Sequence, residues 1–325
     1  MSRRIQNKIA GSRYALPVTM GYGVVALLFL GLLDEDHWLS FGCLYLSTLL
    51  MALLNNVYAL IRVYSRMVSC SFLVLTIMHI AQLPLLQEDV SQFALASDSV
   101  SDIVQLCFIS SYFCLFKAYQ DDFAPGWVFF SFFFFGIASI FFVQMLFYLP
   151  LLWMMLGVNV LGFSFRNFCA SLMGILLPFW MVASYAVYTG HPLEFYGYYK
   201  TVGVFAPMFD YSHVEMRQII PFAFMVVLFL TGTIHFLRYS YKDKIRTRMI
   251  YESFITMGLC TVLFLLAQPQ HYQCLMRVFI IVTSPLIAHF MSLTETRITN
   301  IAFMVIVVTT FLITFCNQWM LSLLS

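Results

Sequence analysis

Apolar residues along this chain come in long uninterrupted blocks separated by short polar stretches. They do not fall into the period-2 or period-3.6 stripes of half-buried strands and helices. One block closes at Gly31-Leu32-Leu33, and the next opens at Phe41 after a brief acidic turn. A helix needs about 20 apolar residues to cross a hydrocarbon layer of about 30 Å at 1.5 Å per residue. That rule predicts transmembrane helices over about 15–33, 41–61, 67–86, 103–118, 127–143, 145–163, 168–188, 219–237, 249–267, 273–292 and 300–319. The expected fold is therefore an all-α polytopic bundle of about eleven spans forming one integral membrane domain, 1–325.

The run from Trp127 to Phe163 contains no charged residue. As one helix it would be about 55 Å long, too much for a single crossing. It reads as two spans joined by a tight hairpin near Gln144, with Pro150 just inside the second.

Composition agrees with the pattern. Of 325 residues, 62% are hydrophobic and 10% charged, with a mean hydropathy of +0.87. A soluble domain carries about 25% charged residues, so too little polar surface is present to cover a water-facing body. The first block, 15–33, follows Arg3, Arg4, Lys8 and Arg13 and outlasts the 7–15 residues of a cleavable signal core; it is expected to be a retained helix.

Charge sets the expected orientation, because Lys and Arg accumulate on the cytoplasmic side. With the N-terminus cytoplasmic, the N-terminal bases, Arg62, Arg66, Lys117, Arg166, the cluster Arg238 to Arg248, and Arg297 all fall inside. These are 14 of the 17 basic residues. Ten of the 15 acids fall outside, among them Asp34, Asp98, Asp102 and Glu215.

Candidate chemistry lies where polar groups meet the membrane. Asp34-Glu35-Asp36-His37, directly after the first span on the outer face, could hold a divalent cation through Asp34 and Asp36 or supply a general base. As an alternative it is a solvated acidic turn anchored by Trp38. Gln268-Pro269-Gln270-His271-Tyr272 precedes a late span, with Arg277 about a turn and a half inside; His271, Tyr272 and Arg277 could hold a phosphate at a helix start, or form a proline turn with a snorkelling arginine. The long outer loop 189–218 carries His191, Glu194, Lys200, Asp210, His213, Glu215 and Arg217 in no metal-ligand spacing, and reads as a wet loop or aromatic belt. Asn55, Asn56, His79, Gln82, His235 and His289 lie within spans as expected helix–helix glue. Eight cysteines sit in or beside apolar blocks with no CxxC or Cys/His cluster, and no GxxxxGK[ST] motif supports a nucleotide-driven pump.

Four stretches share a cadence: Phe132-Phe133-Phe134-Phe135-Gly136-Ile137-Ala138-Ser139-Ile140, Tyr148-Leu149-Pro150-Leu151-Leu152-Trp153, Phe163-Ser164-Phe165-Arg166-Asn167 and Gly174-Ile175-Leu176-Leu177-Pro178-Phe179. Together they resemble an uncharacterised family of polytopic inner-membrane proteins of Bacteroidota. They are also similar to the central helices of GT-C glycosyltransferases, which use polyprenyl-phosphate-linked sugars and carry an acidic motif after the first helix. The resemblance implies a multi-pass protein of the bacterial inner membrane acting on the outer face. Asp34, Glu35, Asp36 and His37 would be catalytic, Asp34 and Asp36 would hold Mg or Mn, and His271, Tyr272 and Arg277 would hold the donor phosphate. The lipid bilayer and a polyprenyl-phosphate-sugar are then the expected partners, with no nucleic acid. The first outer loop, about seven residues, is shorter than in GT-C enzymes. Two other classes remain open: a non-catalytic subunit scaffolding or anchoring other envelope membrane proteins, and a lipid or solute transporter.

Overall fold

The computed structural model describes residues 5–29, 38–82, 92–190, 197, 209, 211, 216–294 and 296–324. Among them the secondary structure is entirely helical. A short α1 (Ile5–Ala10) and α2 (Ala15–Phe29) are followed by α3 (Trp38–Tyr58), α4 (Met67–Ile80), α5 (Gln92–Leu115) and α6 (Pro125–Phe141). Then come α7 (Leu149–Val158), α8 (Phe165–Thr189), α9 (Met216–Tyr239), α10 (Ile245–Ala267), α11 (Tyr272–Leu293) and α12 (Arg297–Leu324). Short 3₁₀ turns precede α7 (Val143–Tyr148) and α11 (Pro269–His271), and another, Ser240–Lys242, follows α9.

Among the described residues seven helices are long and apolar enough to cross a membrane: Trp38–Tyr58, Val100–Ala118, Phe165–Thr189, Gln218–Lys242, Ile245–Ala267, Pro269–Leu293 and Arg297–Phe315. Four more apolar helices are shorter: Ala15–Phe29, Met67–Ile80, Pro125–Phe141 and Val143–Val158. This is the body of a helical integral membrane protein, since in lipid every backbone polar group must be paired within its own segment. The charge-free run breaks where expected: α6 stops at Phe141 and a 3₁₀ turn carries the chain past Gln144. Pro150 stands in the first turn of α7, where its missing N–H costs nothing. The second limb ends sooner than hydropathy suggests, at Val158, and Leu161 then adopts a left-handed backbone (φ 54°).

The bundle is organised around α11, which packs against α1, α4, α5, α9 and α10 and is buried along almost its whole length. Helix α6, which packs on α5, also packs along α8. A Cβ on Gly174 would stand 2.5 Å from the Phe129 carbonyl oxygen, and one on Gly136 would stand 3.1 Å from Cγ of Pro178. Glycine at these two crossings lets the backbones approach, the usual means of packing helices where lipid is as apolar as leucine. Helix α8 is capped at its start by Ser164, whose hydroxyl accepts from the Asn167 amide at 3.3 Å, and at its end by Gly190 in the left-handed region. Its far face shows Trp180, Tyr185 and Tyr188 outward, and α12 is likewise mostly peripheral. Large apolar side chains facing outward suit a lipid surround rather than water.

Candidate functional site

Helical spacing places ionisable groups at both ends of α11. Toward its N-terminal end, Arg277 is 1% exposed and its Nη2 lies 2.9 Å from Oδ1 of Asp102 on α5, itself 3% exposed. The guanidinium meets that oxygen as an ion pair rather than along a hydrogen-bond direction. Gln105, one turn beyond Asp102 on the same face of α5, accepts from Arg277 Nη1 at 3.2 Å and donates through Nε2 to Thr76 Oγ1 on α4 at 3.3 Å. The Thr76 hydroxyl in turn donates to the Phe72 carbonyl. From the first turn of α3, the Ser40 hydroxyl donates to the Asp102 carboxylate. One turn past Thr76, His79 is fully buried, with its ring 5.6 Å from that of Tyr272. Neither of its ring nitrogens has a hydrogen-bond partner among the described residues, and Arg277 Nε is unpaired as well.

Such a centre is expensive to place in a membrane. A lone charge at the bilayer midplane costs about 2.5–3.5 kcal/mol on insertion scales, and intramembrane ionisable groups face partners or cavities. Here the acid and the base neutralise each other, and glutamine and serine take up part of their remaining capacity.

Toward the C-terminal end, twelve residues and about 18 Å along the helix, a second centre forms. His289 is fully buried; its Nε2 stands 3.0 Å from Asp243 Oδ2 and its Nδ1 stands 3.3 Å from Nδ1 of His235 on α9. Arg62, between α3 and α4, lies 3.6 Å from Asp243 Oδ1. The two nitrogens of His289 point in opposite directions, so Asp243, His289 and His235 make a linear chain rather than a cage. Consistent with that, no group of three or more metal-ligating side chains is found among the described residues.

The sequence-predicted residues fare differently. Asp34, Glu35, Asp36 and His37 lie outside the described residues, as does most of the loop 189–218. His271 sits in the 3₁₀ turn before α11, its ring 5.3 Å from that of Phe142. Tyr272 is buried and its hydroxyl donates to the Gln218 carbonyl at 3.1 Å. It also borders a cavity of about 330 Å³ shared with Gln218, Phe222, Leu265 and Pro269. Arg277 is held inside the bundle by Asp102. His271, Tyr272 and Arg277 thus share one end of α11, but each has its own neighbour. What the structure does join is Arg277 to the start of α3: the helix leaves the acidic turn at Trp38, and two residues later Ser40 touches the carboxylate that pairs with Arg277.

Asp102 and Asp243 are functional candidates that the linear pattern hides, one counted with the outer acids and the other lost in the run 238–248. A signal existed for the first: Asp102 borders an apolar span and Arg277 stands inside one, and a buried acid and base are cheapest as a pair. Comparison with protein-family models, with characterised proteins and with solved structures gives no match.

Proposed function

We propose that this chain is a multi-pass protein of the bacterial inner membrane, its apolar helices making eleven crossings with the N-terminus cytoplasmic. In this reading it is a GT-C-like transferase acting at its outer face on a polyprenyl-phosphate-linked sugar. One observation supports it: the helix that follows the acidic turn begins beside the Asp102–Arg277 pair, at the end of α11 that also carries His271 and the 330 Å³ cavity. The starts of α3 and α11, more than 200 residues apart in sequence, thereby lie at one end of the bundle. Convergent polar groups around a mostly apolar pocket are what a lipid-linked substrate requires.

In this reading an acid of the 34–36 turn takes the proton from the acceptor hydroxyl, Asp34 and Asp36 would hold a divalent cation, and His271 contacts the donor phosphate. Arg277 then acts by fixing α11, because a phosphate would have to displace a carboxylate already 2.9 Å away. The test is the exchange of charge at nearly constant shape: Asp34→Asn, Glu35→Gln and Asp36→Asn. Such changes in a solvent-facing turn alter stability by no more than about 0.5 kcal/mol. At least one should abolish transfer, read as a changed envelope-glycan profile at unchanged protein level. Wild-type glycans from all three would remove catalysis.

The internal neutralisation of Arg277 and the satisfied Tyr272 hydroxyl favour a second reading, a non-catalytic subunit that anchors envelope partners. It predicts that the acids are replaceable and that damage follows substitutions such as Gly136→Leu, which drive α6 from α8.

A further inference from the structure

A second cavity, of about 440 Å³, opens on the side of the bundle between α2, α4, α11 and α12. Val18 and Tyr22 of α2, Val74 of α4, Ile287 of α11, and Phe303 and Phe311 of α12 line it, and only apolar surface faces its interior. It runs along α12 from Phe303 to Phe311, about 12 Å at helical rise, which is most of one leaflet of about 15 Å.

One end of this groove is basic. Ala15 and Met67, the first residues of α2 and α4, line it; Arg13 stands two positions before the first and Arg66 one position before the second. Arg66 is turned toward the neighbouring segment: its Nη1 donates to the Arg13 carbonyl at 3.3 Å and its Nε to the Tyr64 hydroxyl at 3.0 Å. Lys8, exposed, precedes the lining residue Ile9. The ion pairs among the described residues are Arg62–Asp243, Arg277–Asp102 and His289–Asp243, so neither Arg13 nor Arg66 has a carboxylate partner there.

We infer that this groove is a binding site for an anionic phospholipid, with one acyl chain lying against Val18, Val74 and Phe303 and the phosphate held by Arg13 and Arg66. The ligand must be apolar over about one leaflet and negative at one end, and a membrane phospholipid has both features. The groove's length suits an acyl chain, whereas a polyprenyl chain is several times longer. The site uses the C-terminal half of α11, through Ile287 and Met291, away from Arg277, and so stands independently of the proposed transferase activity.

The test is native mass spectrometry of the full-length protein, delipidated in detergent and titrated with phosphatidylglycerol or phosphatidylcholine of the same acyl chains. A basic residue at a membrane surface strengthens anionic-lipid binding about fivefold. Phosphatidylglycerol should therefore be retained about thirtyfold better than phosphatidylcholine by the wild-type protein. Arg13→Gln with Arg66→Gln should erase the preference, Arg13→Lys with Arg66→Lys should largely keep it, and Val74→Trp should lower the retention of both lipids. The lysine pair separates loss of charge from loss of fold. Equal retention of the two lipids by the wild-type protein, or a preference that survives the glutamine pair, would overturn the assignment. So would displacement of phosphatidylglycerol by an equal concentration of polyprenyl phosphate, which would make the groove a donor-lipid site.

Discussion

Replacing Asp102 with asparagine keeps the side-chain shape and removes its charge, leaving the Arg277 guanidinium buried and unneutralised. Breaking a buried ion pair by losing one partner costs about 3–5 kcal/mol. The insertion cost of an unpaired charge at mid-membrane, about 2.5–3.5 kcal/mol, sets a similar scale. Gln105 remains as an acceptor 3.2 Å from Nη1, so the lower part of the range applies. Asp102→Asn should cost about 3 kcal/mol, a shift of about a hundredfold in the folded-to-unfolded ratio. The assay is equilibrium unfolding in mixed detergent–SDS micelles followed by tryptophan fluorescence. The double variant Asp102→Leu with Arg277→Met provides the control, because replacing a whole buried pair with apolar residues is often neutral or stabilising; it should fall within about 1 kcal/mol of wild type. Asp102→Asn within about 0.5 kcal/mol of wild type, the usual range of surface changes, would refute the reasoning, as would a double variant no better than the single one.

Other outcomes follow from the same geometry. Asp243→Asn removes the charged acceptor of the buried His289 and should lower stability by about 1–3 kcal/mol; an unchanged thermal midpoint would mean the chain Asp243–His289–His235 is not held as described. Gly174→Ala sets a methyl 2.5 Å from the Phe129 carbonyl oxygen and should cost about 1–3 kcal/mol by overpacking. Gly126→Ala, with nothing within 4 Å of the added carbon, should be close to neutral in the same unfolding assay. Cysteines placed at Ser240 and at Tyr199 should label with an impermeant maleimide from opposite sides of the membrane, and labelling from one side would overturn the orientation drawn from the Lys and Arg distribution.

The helices were largely legible in the sequence because apolar blocks of spanning length have few alternatives in lipid. Each of the eleven expected segments overlaps an apolar helix among the described residues, where seven are of spanning length and four are shorter; 30–33 and 83–86 lie outside the described residues. The edges were less legible. Helix α5 begins at Gln92, well before the apolar run at 103, because hydropathy assumes lipid on every side. In the bundle Ser101, Asp102 and Gln105 face protein, where Arg277 and Thr76 meet them. The early end of α7 was hidden for a related reason: Asn159 and Asn167 there donate to backbone carbonyls of Met249 and Gly162, contacts that no local pattern announces. Of the candidate site, the start of α11 was visible as a proline turn and an isolated arginine. The partners Asp102 and Asp243 were not, since pairing across 175 and 46 positions (102 to 277, 243 to 289) leaves no trace in spacing.

The central claim is that the acidic turn and the start of α11 meet at one end of the bundle. Its most direct measurement is the dipolar broadening between spin labels at positions 36 and 271, in a chain whose exposed Cys169 is replaced by serine. Trp38 opens α3, Ser40 touches Asp102, and Asp102 pairs with Arg277, so the account predicts strong broadening and a separation within about 15 Å, the reach of one ligand-sized pocket. An unbroadened spectrum, with the labels about 30 Å apart as they would be across the hydrocarbon layer, would contradict it.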